Sequence, residues 1–292
     1  MHTALNSPVF ACPVCGAPLP PAAESYVCVQ GHCFDVAREG YVNLLLARHR
    51  RSKEPGYSKE MIAGRRDFFD AGHYASLADC VAECVRAVLP AGPDRVVVEA
   101  GCGEGYYLRR LRRLLNQDSS HDGVVLCGLD ISKYGIRVAA RRDPQGQYAV
   151  ADTHRMPILT GRVDVLLSHF SPVSADDFRR VVKLGGAVLV GVPGERHLFR
   201  FKELIHASPA VHEPVARLAK ESGFELINTH VIRYPLALRG PGQAANLLLM
   251  TPYFWSVDVE TRARVSALDA LDTEVDVVVY TYQRTELPSA GE

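Results

Sequence analysis

Four residues near the start of the chain have the types and spacing to hold a metal ion: Cys12, Cys15, Cys28 and His32. Cys12-Pro13-Val14-Cys15-Gly16 reads as a knuckle, in which the glycine lets the backbone turn its N–H groups toward sulfur. Tyr26-Val27-Cys28 reads as a short strand, and Cys28 with His32 supplies a second pair of ligands. Three thiolates and one imidazole suit tetrahedral zinc, and four protein ligands leave no open position, so the expected role is structural. Cys33 adjoins His32 and offers an alternative fourth ligand. So short a segment has little room for a core. Zinc would supply most of its folding energy, roughly 10–16 kcal/mol apparent in zinc-finger peptides.

A second kind of chemistry is written in Val96–Tyr107, VVVEAGCGEGYY. Three β-branched residues lead to Glu99, and glycines then recur at Gly101, Gly103 and Gly105. A strand that breaks into a glycine loop and then a helix sets bare N–H groups around a ligand. The dinucleotide fingerprint wants its third glycine one residue later. G-x-G-x-G after an acidic residue is the form used by methyltransferases that bind S-adenosylmethionine. Asp130, at the end of the next strand, can accept both ribose hydroxyls of an adenosine. Asp152, after the third strand, can accept from the adenine amino group. The acceptor would sit beyond the fourth strand, where His169 and Phe170 lie: one a candidate proton acceptor, the other a face for stacking on a base. His197, in Pro193–Leu198 after the fifth strand, could reach the methionine part of a cofactor or simply start a helix.

These residues need elements to position them. Helices are expected at Ser58–Asp70 and Leu77–Val88, and a break at Pro90–Pro93. Strands follow at Arg95–Ala100, Val124–Leu129, Tyr148–Val150, Val163–Ser168, Ala187–Val192, Glu225–Arg233 and Glu274–Tyr282. A helix is expected at Lys133–Arg142, a tight turn at Gly185-Gly186 and a helix at Val215–Ser222. An insertion, Pro235–Asp272, separates the last two strands. The alternation defines an α/β fold, a doubly wound seven-stranded Rossmann-like sheet. Three regions are expected: a zinc-binding module (1–45), a basic linker with helices (46–92), and a methyltransferase domain (93–292).

Bulk properties narrow the class. The chain has 292 residues, 47% hydrophobic and 23% charged, which fits a globular protein of one large domain plus a small module. Lys+Arg and Asp+Glu both total 33, so net charge announces no nucleic-acid partner. Between Arg48 and Arg66, however, seven basic residues face two acidic ones, an excess that could follow a phosphate backbone. No apolar run approaches a membrane span and no signal peptide is recognisable, so a cytoplasmic location without a membrane partner is expected. Of the eight cysteines, Cys80, Cys84, Cys102 and Cys127 are read as buried small hydrophobes.

The run of motifs resembles the bacterial large-subunit rRNA guanine-N1 methyltransferases, the RlmA or RrmA family. The match covers nearly the whole chain. It includes CPVCGAPL, YVCVQGHCFDVAREGYVNLL, the DAGHY segment at Asp70–Tyr74, EAGCGEGYY, LDISK, VVKLGGAVLVGVPGERHL, and MTPYFW at Met250–Trp255. The resemblance implies S-adenosylmethionine as methyl donor, structural zinc on Cys12, Cys15, Cys28 and His32, and cofactor contacts from Tyr74, Gly103, Glu104 and His197. It implies RNA recognition by the zinc-binding module (1–45) and methylation of N1 of one guanine in a 23S rRNA hairpin near the peptide exit tunnel. Phe170-Ser171-Pro172 departs from the family's aromatic-Ala-Pro segment. RRSKEPGYSKEM and MTPYFW favour the housekeeping subgroup. Alternatives are the related subgroup that methylates a neighbouring guanine and gives macrolide resistance, and a small-molecule methyltransferase. A homodimer is left open.

Overall fold

The computed structural model describes residues 8–47, 56–206, 208–215 and 218–287. Arg48–Lys53, the most basic part of the linker, lies outside them. Strands β1 (Ser25–Val27) and β2 (Cys33–Asp35) pair antiparallel, and β3 (Tyr41–Asn43) follows. Helices α1 (Lys59–Asp70) and α2 (Ala75–Val88) precede an alternating run: β4 (Val96–Ala100), α3 (Tyr106–Leu115), β5 (Val125–Asp130), α4 (Lys133–Arg142), β6 (Gln147–Val150), β7 (Val163–His169), α5 (Ala175–Val181), β8 (Val182–Pro193) and α6 (Phe199–Ile205). The chain closes with β9 (Phe224–Arg239), α7 (Gln243–Met250), α8 (Val259–Ser266) and β10 (Ala270–Arg284). Among the described residues no helix is long and apolar enough to cross a membrane.

The main sheet has the order β3-β6-β5-β4-β7-β8-β10-β9. Every pairing from β3 to β8 is parallel, and β10 runs antiparallel to both β8 and β9. From β4 the chain winds outward through β5 and β6, then returns to lay β7 on the other side. The carboxyl ends of β4 and β7 therefore flank the point where winding reverses, the usual place for a ligand crevice. β4 is buried along its whole length because both faces are covered. Val96, Val98 and Ala100 enter one core layer, and Val97 enters the other, which holds Phe68, Tyr74, Leu77 and Leu108. Two-residue alternation turns Glu99 toward that second layer, the one built by α1, α2 and α3. α3 buries Tyr106, Tyr107, Leu108, Leu111 and Leu115 and interleaves them with arginines, an amphipathic pattern.

The sheet differs from the expected seven strands. The eighth is β3, which pairs with β6 through Tyr41–Tyr148, Val42–Ala149 and Asn43–Val150. Three residues are too short a segment to stand out by periodicity, and only the parallel partner makes them a strand. β8 begins at Val182, not Ala187: the expected Gly185-Gly186 turn is absorbed as a break in register, with Gly185 at φ +77. β9 and β10 are longer than expected, and β9 runs through Pro235. β9 is an edge strand, so the missing N–H costs no ladder bond. The expected helix at Val215–Ser222 is reduced, among the described residues, to one 3-10 turn at Lys220–Ser222. Gly223, left-handed at φ +79, ends that turn and leads into β9.

Candidate active site

The N-terminal ligands come together as the spacing implies. The ligand atoms of Cys12, Cys15, Cys28 and His32 all lie within 4.8 Å of one another. His32 Nδ1 is 3.6 Å from Cys12 Sγ and 3.4 Å from Cys28 Sγ, and the Cys15 and Cys28 sulfurs are 3.8 Å apart. A zinc tetrahedron with ordinary bond lengths has edges of about 3.5–3.8 Å, so the donor set fits the ion. Cys33 starts β2, is exposed and stays outside the cluster, which settles the fourth ligand in favour of His32. The ribbon is tied to the main domain: Ala11 N–H donates to Pro157 O (2.9 Å), and Leu159 N–H donates to Val9 O (3.1 Å). Of the four remaining cysteines, Cys84, Cys102 and Cys127 are buried and Cys80 is half-buried.

A cleft of about 1320 Å3 opens at the carboxyl ends of β4 and β7. Its wall includes Tyr74, Gly101, Gly103, Asp130, Asp152, His169, Phe170 and His197. Of the sequence candidates, Glu99, Glu104 and Gly105 do not line it. Gly105 caps α3 in a left-handed conformation, where a Cβ would crowd Ala139 and Tyr148. The Glu104 side chain is buried in ion pairs with Arg109 (2.9 Å) and Arg142 (3.6 Å). Glu99 is buried, and its Oε2 has no hydrogen-bond partner. Burial lifts its pKa to about 8.

The glycine loop is held from beneath. Gly103 N–H donates to Asp130 Oδ2 (2.8 Å) and Ser132 N–H to Asp130 Oδ1 (2.7 Å), so one carboxylate fixes both the loop and the start of α4. Gly101 has φ +81 and Gly103 φ +54, conformations that side chains rarely adopt. A Cβ on Gly101 would run into Ser171 Oγ, and one on Gly103 would lie 3.3 Å from Arg65 Nε. Asp152 accepts from His154 N–H (2.9 Å) in a local turn.

Tyr74 and His197 meet across the cleft. The Tyr74 hydroxyl lies 3.2 Å from His197 Nε2, and Asp276 N–H donates to His197 Nδ1 (3.3 Å). Burial draws the His197 pKa down to about 3, so the ring is neutral. With Nδ1 accepting, Nε2 carries the proton and donates to Tyr74, whose own hydroxyl hydrogen is free for another acceptor. Buried Asp276 also accepts from Arg196 N–H (2.9 Å) and Arg233 Nε (2.8 Å), which fixes the His197 loop. Phe170, at φ +52, stacks on the His197 ring at 5.4 Å. His169 is buried, stacks on Tyr107 at 5.1 Å and has no hydrogen-bond partner at either ring nitrogen. Burial lowers its pKa to about 4.

Among the cleft residues that escaped the sequence reading of the site, four have side chains of chemical interest. Arg65 and Tyr57 come from the linker region, where charge suggested only RNA contact. His212 bonds to the Tyr253 hydroxyl (3.2 Å), and Trp255 stands on the rim at 67% exposed. MTPYFW marked the last by sequence, but nothing in its spacing placed it at the cleft.

The positive-φ glycines Gly101 and Gly103, which line the cleft beside the Asp130 carboxylate, fit the amino-acid and ribose parts of S-adenosylmethionine. The fold and site define a cofactor-dependent methyltransferase carrying a zinc ribbon. The family model described as a methyltransferase domain matches residues 97–189, and that described as RlmA, N-terminal, matches residues 10–53. A 23S rRNA (guanine(748)-N(1))-methyltransferase from Streptomyces fradiae is 33% identical, over 87% of this chain and 88% of the relative. A chain from Micromonospora griseorubida, provisionally named a 23S rRNA (guanine-N(1)-)-methyltransferase, is 38% identical over 89% and 92%. YxjB of Bacillus subtilis, with the same provisional name, is 29% identical over 95% and 98%. The chain belongs to the family of 23S rRNA (guanine-N1)-methyltransferases.

Proposed function

We propose that this protein methylates N1 of a guanine in a 23S rRNA hairpin. Guanine 748, for which the Streptomyces fradiae relative is named, is the position to test first. The neighbouring guanine of the housekeeping subgroup is the second. The observation that carries the reading is the cleft itself: the cofactor cradle continues into a rim bearing exposed Phe170 and Trp255. Aromatic faces of that kind hold an unstacked base. N1 is occupied in a base pair, so the guanine must be splayed from its hairpin to enter.

Bound S-adenosylmethionine supplies an electrophilic methyl group. The protein's task is alignment and removal of one proton from N1 as the new bond forms. His169, with its pKa near 4, is a poor acceptor at neutral pH and serves as a neutral wall group. His212, half-buried and held by Tyr253, is the better placed acceptor. Tyr74 and His197 orient the methionyl part, with Asp130 on the ribose and Asp152 on the adenine. The zinc ribbon (1–45) and the basic linker (46–92) grip the hairpin, and residues 93–292 carry the transfer. The enzyme works in the cytoplasm, on rRNA, as a monomer or a homodimer.

Primer extension on 23S rRNA from a deletion strain tests this, because N1-methylguanine stops reverse transcriptase. The stop should vanish in the null strain and return with the wild-type gene, but not with Cys12→Ser. Ribosomes that keep every such stop in the null strain would overturn the proposal. A small-molecule methyltransferase would leave purified 23S rRNA unmodified.

A further inference from the structure

We propose that Arg65 anchors the carboxylate at the methionyl end of the cofactor. This rests on S-adenosylmethionine being the bound donor and adds a residue to its site. Arg65 stands on α1, which lies so close to α7 that a Cβ on Gly64 would be 2.9 Å from Leu249 Cδ1. The neighbouring position on the helix then faces the glycine loop. Arg65 Nε and Cζ lie 3.3 and 3.7 Å from where a Cβ on Gly103 would be. The guanidinium also lies over the Phe69 ring, 4.8 Å from its centre, and Phe69 in turn stacks on Tyr106 at 4.2 Å. The aromatic pair fixes the fork at the wall of the cleft.

Among the described residues this cation forms no ion pair, although Glu99, Glu104 and Asp130 lie within its electrostatic reach. Its Nε is buried without a hydrogen-bond partner. The carboxylates around it are committed elsewhere: Glu104 to Arg109 and Arg142, and Asp130 to the N–H groups of Gly103 and Ser132. Burial pushes the Glu99 carboxyl up to about 8 against the pull of Arg65 itself, and the two make no ion pair. A partly buried guanidinium left unpaired is costly, so the site calls for an anion from outside. The ligand's adenosine is neutral, and its single carboxylate sits at the amino-acid end, the part that meets the glycine loop when the ribose is on Asp130. A planar fork of N–H donors matches a carboxylate bidentately.

Calorimetry with three ligands on the full chain tests the assignment. S-adenosylhomocysteine carries the carboxylate and the ammonium; decarboxylated S-adenosylmethionine keeps the ammonium; 5′-methylthioadenosine has neither. Arg65→Ala should weaken S-adenosylhomocysteine about tenfold to a hundredfold, the usual loss for a charged hydrogen-bonded pair. The other two ligands should change by less than about threefold on the same scale. Arg65→Gln keeps the packing on Phe69 and should show the same selectivity, which separates lost charge from lost fold. Equal weakening of all three ligands, or no change in any, overturns the proposal. So does a loss confined to the affinity and salt dependence of 23S rRNA hairpin binding, which would make Arg65 a phosphate contact. A wild-type protein that binds none of the three fails the cofactor reading itself and is recognisable as that result.

Discussion

The zinc ribbon and the methyl-donor cleft are built in opposite ways. The ribbon collects its four ligands from Cys12 to His32, a short stretch of chain, and its few buried apolar residues, Phe10 and Leu19 among them, join a core layer of the main sheet. The cleft gathers residues from Tyr57 to Trp255 and stands on two continuous core layers. In the ribbon the ligand creates the fold. In the cleft the fold exists first and the ligand enters it. The two regions should therefore fail differently, and that difference can be measured.

The largest effect is expected at the ribbon. Removing zinc, or replacing Cys12 with Ser, takes away a binding free energy of roughly 10–16 kcal/mol apparent. Zinc content should fall to zero and the first 45 residues should become protease-sensitive, while S-adenosylhomocysteine affinity by calorimetry changes little. Parallel loss of cofactor binding would break the contrast. The next effect belongs to the cradle. Gly101→Ala puts a side chain at φ +81 and against Ser171 Oγ. A cost of about 3 kcal/mol is expected from strain and overpacking together. Zinc content should be untouched, and S-adenosylhomocysteine affinity should drop at least tenfold, in line with that cost.

A pH profile sharpens the comparison, because Glu99 belongs to the buried layer and to no metal. Its folded pKa of about 8 lies above its ordinary 4.5. The folded state thus holds a proton that the unfolded state releases. The resulting stability is complete below pH 4.5 and is lost as pH rises toward 8. The melting temperature of wild type should fall across that window relative to Glu99→Gln. A constant difference between the two would place the carboxyl in contact with water. The smallest effect is Tyr74→Phe, which strips the partner from His197 Nε2. Leaving that donor unpaired should cost about 1–2 kcal/mol in thermal unfolding. Binding of S-adenosylhomocysteine should weaken with it, and unchanged binding would move Tyr74 from the site to the core.

Legibility followed the same division. Cys12, Cys15, Cys28 and His32 were readable because their geometry is encoded in spacing over a few residues. Gly101, Gly103, Asp130 and Asp152, which line the cleft, were readable because each ends or follows a strand of strong apolar pattern; Glu99 and Gly105 carried the same signal and lie outside the lining. Arg65 and His212 were not, since a basic residue in a linker and a histidine between prolines have no local signature. Glu104 had no local signature of its own and was pointed to by the resemblance; two arginines from α3 and α4 occupy its carboxylate.

The sequence by itself determined the three thiolates Cys12, Cys15 and Cys28 of the metal cluster, the alternating strands and helices, and the glycine bend after the first strand of the alternating run, because each depends on residues close in the chain. Only the tertiary structure decided that Tyr41–Asn43 extend the sheet, that Cys33 stays apart from the metal cluster, and that α1 swings Arg65 over Gly103. Those outcomes hang on contacts between distant segments, where packing against a partner, and not local preference, selects the conformation.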